Sequence, residues 1–137
     1  MKYIVLDTNC LIACIGFGSA YRSVWDSFIN NKFFLCISNE ILNEYEEVLS
    51  RKTSKEVANN IIEIIVNRKN TIFTSPAYRF NLIPTDPDDN KFVDCAIIAN
   101  ADYIVSNDSH FSVLKNIDFP KVNVISIRDF VRYLFSE

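Results

Sequence analysis

Two short apolar runs constrain the fold most strongly, because each one leads to an aspartate. YIVL at residues 3–6 is followed directly by Asp7, and YIV at 103–105 ends three residues before Asp108. Continuous runs of β-branched and aromatic residues are typical of strands buried on both faces of a parallel sheet. Open α/β sheets bind their ligands at the carboxyl ends of such strands. We therefore expect Asp7 and Asp108 to lie together at one edge of a sheet.

The rest of the chain alternates between strand-like runs and helical periodicity, which predicts an α/β fold. We expect a three-layer α/β/α sandwich with a mostly parallel central sheet, in a single domain over residues 1–137. The predicted strands are 2–7, 33–38, 71–75, 102–106 and 122–127. The predicted helices are 19–30, a helix from Ser38 or Asn39 to Leu49, 54–69, 90–100 and 128–135.

Composition excludes several classes of protein. Hydrophobic residues make up 49% of the 137 residues, which excludes a disordered chain. No apolar stretch approaches the roughly 18 residues of a membrane span, and MKYIVLD enters a strand at once, unlike a signal peptide. We expect a soluble, cytoplasmic protein without a membrane partner.

The four cysteines are expected to be free, buried thiols. Cys10, Cys14, Cys36 and Cys95 lie in apolar segments and include no CxxC pair. With one histidine in the chain, His110, a structural zinc site has too few ligands.

Two further acids join Asp7 and Asp108 as candidate site residues. Glu44 borders the apolar stripe of its predicted helix, where Glu40 is the alternative. Asp89 closes the loop PTDPDDN and begins the next helix, in which Asp94 is the alternative. Asp94 lies about 140° around that helix from Asp89, so one ion would not bind both.

Carboxylates held close together repel one another unless a cation binds them. A hard divalent ion with oxygen ligands fits this set, and Mg²⁺ or Mn²⁺ fits better than zinc. Each acid also has a structural explanation when it is taken alone. Asp7 and Asp89 could cap helices, Glu44 could belong to a solvated helix face, and Asp108 could form an Asx turn.

Three segments together resemble the PIN-domain nucleases, over nearly the whole chain: IVLDTNCLIA, SNEILNEYEEVL and DPDDNKFVDCAIIANADYIVSNDSHF. The closest subgroup is the toxin components of toxin–antitoxin systems. The resemblance implies that Asp7, Glu44, Asp89 and Asp108 are the catalytic, metal-binding acids. It further implies that Ser106 occupies the family's Thr or Ser position and that Asn9 orients Asp7. Asn107 departs from the pattern, since relatives often carry Gly there, and it predicts an altered turn.

The resemblance implies an Mg²⁺- or Mn²⁺-dependent endoribonuclease that hydrolyses phosphodiester bonds of single-stranded RNA. An antitoxin protein and a second copy of the chain, through helices 19–30 and 54–69, are the implied partners. The net charge of −3 is unusual for such a protein, but the four acids alone contribute −4. Tyr78 and Phe80 are candidates for base stacking. Candidate phosphate contacts are Arg51, Lys52, Lys55, Arg68, Lys69, Arg79 and Lys91.

Two other functions agree with parts of this pattern. An inactive PIN-like module that binds RNA or protein would be expected to lose at least one of the four acids. A receiver- or phosphatase-type protein needs a second aspartate close after Asp7, where Thr8 and Asn9 stand, and a lysine at the end of the last strand. For His110, an ordinary capping or packing role is favoured over a contact with substrate phosphate.

Overall fold

Parallel strands form the core of the fold. The computed structural model describes residues 1–76, 79–84 and 86–136. The strands of this sheet lie in the order β3-β2-β1-β4-β5, and every neighbouring pair is parallel. The predicted α/β class is therefore confirmed. Their bounds are β1 Lys2–Leu6, β2 Phe33–Ile37, β3 Thr71–Phe73, β4 Tyr103–Val105 and β5 Val124–Ile125.

Helices cover both faces of this sheet. Ile4, Val5 and Leu6 are consecutive in β1 and all at most 2% exposed. Because successive strand residues point to opposite faces, both faces of β1 are buried. The helices are α1 Thr8–Ile15, α2 Arg22–Ile29, α3 Asn39–Lys52, α4 Lys55–Asn67, α5 Asn90–Ala99 and α6 Ile127–Ser136, with 3₁₀ segments at Pro87–Asp89 and Ser109–Asn116. None of the described helices is long and apolar enough to cross a membrane.

The predicted strands and helices are all present, and local capping explains where several of them begin and end. Ser38 and Ser54 cap α3 and α4 by accepting hydrogen bonds from the N–H groups of Ile41 and Val57. Ser126 accepts from the N–H of Asp129 at 3.1 Å, so α6 begins where the predicted last strand was expected to continue.

The start of α2 was predicted too early. Ser19 does not begin the helix, which starts at Arg22. Its hydroxyl donates to the carbonyl of Ala13 and accepts from the N–H of Tyr21, so it holds the turn between α1 and α2.

Helix α1 and the 3₁₀ segment Ser109–Asn116 were not predicted. Helix α1 follows β1 with one residue, Asp7, between them. The loop that usually separates a strand from the next helix in a sequence is therefore missing.

The order of the strands places a crevice beside β1. From β1 the chain proceeds to β2 and β3 on one side, and later to β4 and β5 on the other. Ligands of open α/β sheets bind at the carboxyl ends of the strands where the order reverses in this way. Leu6 is paired with Val105, and the N–H of Asp7 donates to the carbonyl of Val105 at 3.0 Å. Asp7 is therefore fixed at this edge by the sheet itself.

All four cysteines are buried and free, as expected. Burial raises the pKa of Cys10, Cys14 and Cys36 to about 12 and that of Cys95 to about 11. These groups are thus thiols at neutral pH, whereas metal binding requires the thiolate.

Tyr45 connects α3 to the end of β1. Its side chain is fully buried, and its hydroxyl donates to the carbonyl of Leu6 at 2.5 Å. This bond holds α3, which carries Glu44, against the strand end that carries Asp7.

Tyr45→Phe should therefore lower the free energy of unfolding by about 1 to 2 kcal/mol, because a buried carbonyl loses its donor. Urea denaturation would measure the change. Tyr103→Phe, at a half-buried ring that packs edge-on against Tyr133, is the matched control and should show a smaller loss. Equal losses in the two variants would contradict a specific role for the Tyr45 hydroxyl.

Candidate active site

Asp7 lies at the centre of the site. It is the first residue beyond β1 and is 6% exposed, and its Oδ2 accepts a hydrogen bond of 2.6 Å from the hydroxyl of Ser106. Its carboxylate also accepts from the N–H of Asn9 at the start of α1, so Asp7 has a structural contact in addition to the one with Ser106.

Ser106 connects Asp7 to Asp108. The same hydroxyl that donates to Asp7 accepts from the N–H of Asp108 at 3.0 Å. The carboxylate of Asp108 in turn accepts from the N–H of His110 at 2.9 Å, so the expected turn is present as well. One serine therefore positions both acids that follow the central strands.

Glu44 has a partner at each of its two oxygens. Oε2 accepts from the hydroxyl of Thr8, and Oε1 lies 2.8 Å from the ammonium of Lys91. Lys91 also donates to the carbonyl of Asp88 at 2.7 Å. Glu44 is thus held against the start of α1 and is not part of a solvated helix face.

The two alternative acids, Glu40 and Asp94, belong to a different cluster. Arg79 lies 2.5 Å from an oxygen of Glu40 and 3.9 Å from one of Asp94. The other oxygen of Asp94 accepts from the N–H of Phe80 at 3.1 Å. These acids anchor the segment around Arg79, away from Asp7.

Asp89 directly precedes α5, and its side chain makes no capping bond to that helix. The capping explanation for Asp89 is therefore wrong. Its side chain is 13% exposed and faces His110. The Nδ1 atom of His110 lies 2.9 Å from Asp86, 3.3 Å from Asp108 and 3.4 Å from Asp89.

Asp86 and the central place of His110 were missed in the sequence. The imidazole of His110 contacts three carboxylates, which the sequence did not indicate. Asp86, Asp89 and His110 offer ligand atoms within 4.8 Å of one another. The density of aspartates in PTDPDDN and a histidine two residues after Asp108 were the available signals.

The pKa values indicate that the four candidate acids share one cluster. Burial raises the pKa of Asp7, and repulsion from Asp108 and Glu44 adds to this, while hydrogen bonds from Ser106 and the N–H of Asn9 oppose it. Asn9 thus contributes to Asp7 through its backbone.

The same repulsion acts on Asp89. Burial, followed by repulsion from Asp86, Asp108 and Asp7, raises the pKa of Asp89 to about 6. The nearby carboxylates, Asp108 first, raise the pKa of His110. A positive charge at this point therefore stabilises the cluster.

This donor set fits a hard divalent cation. Asp7, Glu44, Asp89 and Asp108 offer oxygen atoms only, and burial together with repulsion disfavours the negative charges of Asp7 and Asp89 without a cation. A cavity of about 230 Å³ adjoins Asp7 and Asp108 and is lined also by Asn9 and Asn107.

The altered turn that is predicted at Asn107 corresponds to a side-chain hydrogen bond in the structure. Its side-chain oxygen accepts from the N–H of Ile127 at 3.1 Å, which ties the turn after β4 to the start of α6. Positive φ angles among the described non-glycine residues occur at Asn31, Asn81 and Asn100. Asn107 thus has no left-handed conformation that would require glycine.

The basic and aromatic candidates divide by position. Lys91 pairs with Glu44 at the rim of the cluster. Arg51 and Lys91 both line a neighbouring cavity. Arg68 is bound to Asn31 and Asn70 before β2 and β3, at the opposite edge of the sheet. Phe80 is half-buried, and Tyr78 lies outside the described residues.

The chain belongs to the PIN domain family, because the sequence profile of that family matches residues 3–110. No curated protein gives a significant match to the sequence.

Solved structures share the fold. A chain of VapBC2 from Rickettsia felis, bound to a DNA fragment from its promoter, has a TM-score of 0.63 at 19% identity, over 90% of this chain and 98% of that one. DNA-bound VapBC from Salmonella typhimurium gives 0.62 at 19% identity, over 93% and 99%. The RRP44 PIN domain of T. brucei gives 0.51 at 12% identity, over 98% and 82%.

The raised pKa of Asp89 predicts how stability depends on pH without a metal. Because the pKa is about 6 in the folded chain against an ordinary 3.8, this group stabilises the fold below about pH 4 and loses that effect as pH rises through 6. Asp89→Asn should therefore stabilise the metal-free protein at pH 7.5, by less than the roughly 1.4 kcal/mol per pKa unit of a fully buried group, because solvent screens part of the repulsion.

Urea denaturation in EDTA at pH 4 and pH 7.5 would test this. The exposed neighbour Asp88, changed to Asn, is the control and should show no such dependence on pH. If Asp89→Asn destabilises the protein at pH 7.5, the crowding of carboxylates described above is contradicted.

Proposed function

We propose that this protein is an Mg²⁺- or Mn²⁺-dependent endoribonuclease that hydrolyses phosphodiester bonds of single-stranded RNA, in one PIN-like domain over residues 1–137. The main support comes from the arrangement of four acids. Asp7 and Asp108 follow β1 and β4 and are bridged by the hydroxyl of Ser106. Glu44 and Asp89 are close enough to Asp7 for their charges to repel it. Burial and repulsion oppose the charges of Asp7 and Asp89, so a cation would have a strong site there.

The four acids would hold the ion, and their neighbours would keep them in place. Ser106 holds Asp7, and Thr8 with Lys91 holds Glu44. A bound divalent ion would polarise the phosphoryl oxygen and lower the pKa of a bound water. No histidine is needed as a catalytic base, because the cluster can orient the water with a carboxylate.

Lys91 and His110 add positive charge at the rim of the cluster. Both lie within ion-pair distance of its carboxylates. When a metal ion neutralises those carboxylates, the two side chains are free to contact phosphate oxygens of the substrate. They would favour binding of the scissile phosphate at this point.

We further propose that the chain is the toxin of a toxin–antitoxin pair, bound by an antitoxin protein and able to form a homodimer. The likeness to the two VapBC structures supports this assignment. Co-purification with the protein encoded by a neighbouring gene, and loss of nuclease activity in that complex, would test it.

Asp7→Asn should abolish cleavage, because the substitution keeps the shape of the side chain and removes the central charge. We expect a loss larger than the roughly 10- to 100-fold typical of residues outside the ligand shell. The measurement is cleavage of a labelled single-stranded RNA with Mn²⁺ or Mg²⁺.

Asp118→Asn makes the same chemical change at an exposed position and should retain full activity. Equal cleavage by the wild type and Asp7→Asn would contradict the assignment of Asp7. A folded wild-type protein that binds RNA without cutting it would instead favour the inactive binding module.

A further inference from the structure

A second, larger cavity opens at the carboxyl ends of β4 and β5. Its volume is about 410 Å³, and it lies between the 3₁₀ segment Ser109–Asn116 and the start of α6. Ligand pockets in proteins generally measure about 300 to 1,000 Å³, so this one has room for a nucleotide. Its lining includes Ser109, Ser112 and Ser126, the last of which already accepts from the N–H of Asp129.

This cavity adjoins the acid cluster. Asn107 and Asp108 line both the 410 Å³ cavity and the 230 Å³ cavity that contains Asp7. A strand whose scissile phosphate lies at Asp7 and Asp108 would therefore meet the second cavity with its next nucleotide.

The charges favour this direction over the groove along α3. Apart from Glu44, that groove, of about 510 Å³, has among its described lining residues the acids Glu40, Glu47 and Asp88 against the bases Arg51 and Lys91. A second phosphate would meet a small excess of negative charge there. Beside β5, the lining other than Asp108 carries one acid, Asp129, one base, Lys115, and several hydroxyls.

Lys115 is the group in this cavity suited to a phosphate. It is exposed, and within the described part of the chain it forms no ion pair. Two backbone N–H groups at the start of α6 are already bonded, that of Ile127 by Asn107 and that of Asp129 by Ser126. Lys115 was not among the basic residues selected from the sequence.

We propose that this cavity is the subsite for the nucleotide next to the scissile phosphate of single-stranded RNA, with Lys115 contacting that nucleotide's phosphate. The serine hydroxyls contact its ribose or base. The proposal rests on the proposed nuclease function, since it uses the position of the scissile phosphate at the acid cluster.

The test measures binding, so that it does not depend on catalysis. Lys115→Gln would be introduced into the Asp7→Asn protein, and the affinity for a fluorescent single-stranded RNA would be followed by anisotropy at several salt concentrations. We expect binding to weaken about 3- to 10-fold at low salt, and the slope of log K against log salt to fall by about 0.7, the value for one phosphate contact on a single strand.

Two further variants sharpen the comparison. Lys121→Gln removes an equivalent exposed charge outside the cavity and should leave the slope unchanged. In the otherwise wild-type protein, Ser112→Trp would fill the cavity and should raise KM for RNA cleavage while kcat changes little.

Equal salt slopes for Lys115→Gln and Lys121→Gln would overturn the subsite, as would the absence of measurable RNA binding by the Asp7→Asn parent. A loss of affinity in Arg51→Gln without one in Lys115→Gln would place the strand along α3 and also overturn it. If the wild type cuts no RNA but the Lys115 effect on the slope is found, the nuclease assignment fails, and the cavity is an RNA-binding site that serves no cleavage reaction. If Asp7-dependent cleavage is found without the Lys115 effect, the nuclease assignment stands and the subsite fails.

Discussion

Repulsion among carboxylates at the carboxyl ends of β1 and β4 is the constraint on which the rest of the site depends. The sheet fixes Asp7 beside Val105, and burial there raises the pKa of the carboxyl group. The surrounding groups offset this cost: a hydroxyl from Ser106 at the centre, and the cationic groups of Lys91 and His110 at the rim. The same arrangement keeps Asp7 and Asp108 beside one cavity, where their oxygen atoms are of the kind that a divalent cation prefers.

Local patterns in the sequence were sufficient to predict the sheet and the acids that follow its strands. The apolar runs at 3–6 and 103–105 determine both the strands and the place of Asp7 and Asp108, because the residue after a buried strand must lie at the sheet edge. Ser38 and Ser54 indicate where helices start, because helix capping is a short-range interaction. The carboxylate cluster followed from these elements and from the family resemblance.

Features that depend on contacts between distant segments could not be predicted in this way. Glu40 and Glu44 lie one turn apart on α3, and the sequence alone does not separate them strongly. What distinguishes their roles is Arg79, which binds Glu40 from a segment far along the chain. The place of His110 among three carboxylates depends on the unpredicted 3₁₀ segment that begins beside it. Lys115 belongs to that same segment, and its proposed role follows from a cavity that is formed only in the folded chain.

The most direct test of a cation site at the central acids is anomalous diffraction from crystals of the wild-type protein soaked in Mn²⁺. The account predicts a manganese peak between the carboxylates of Asp7 and Asp108, within ligand distance of at least one of them, and no such peak in Asp7→Asn crystals. A peak confined to Asp86 and His110, or no peak at all near Asp7, would contradict it.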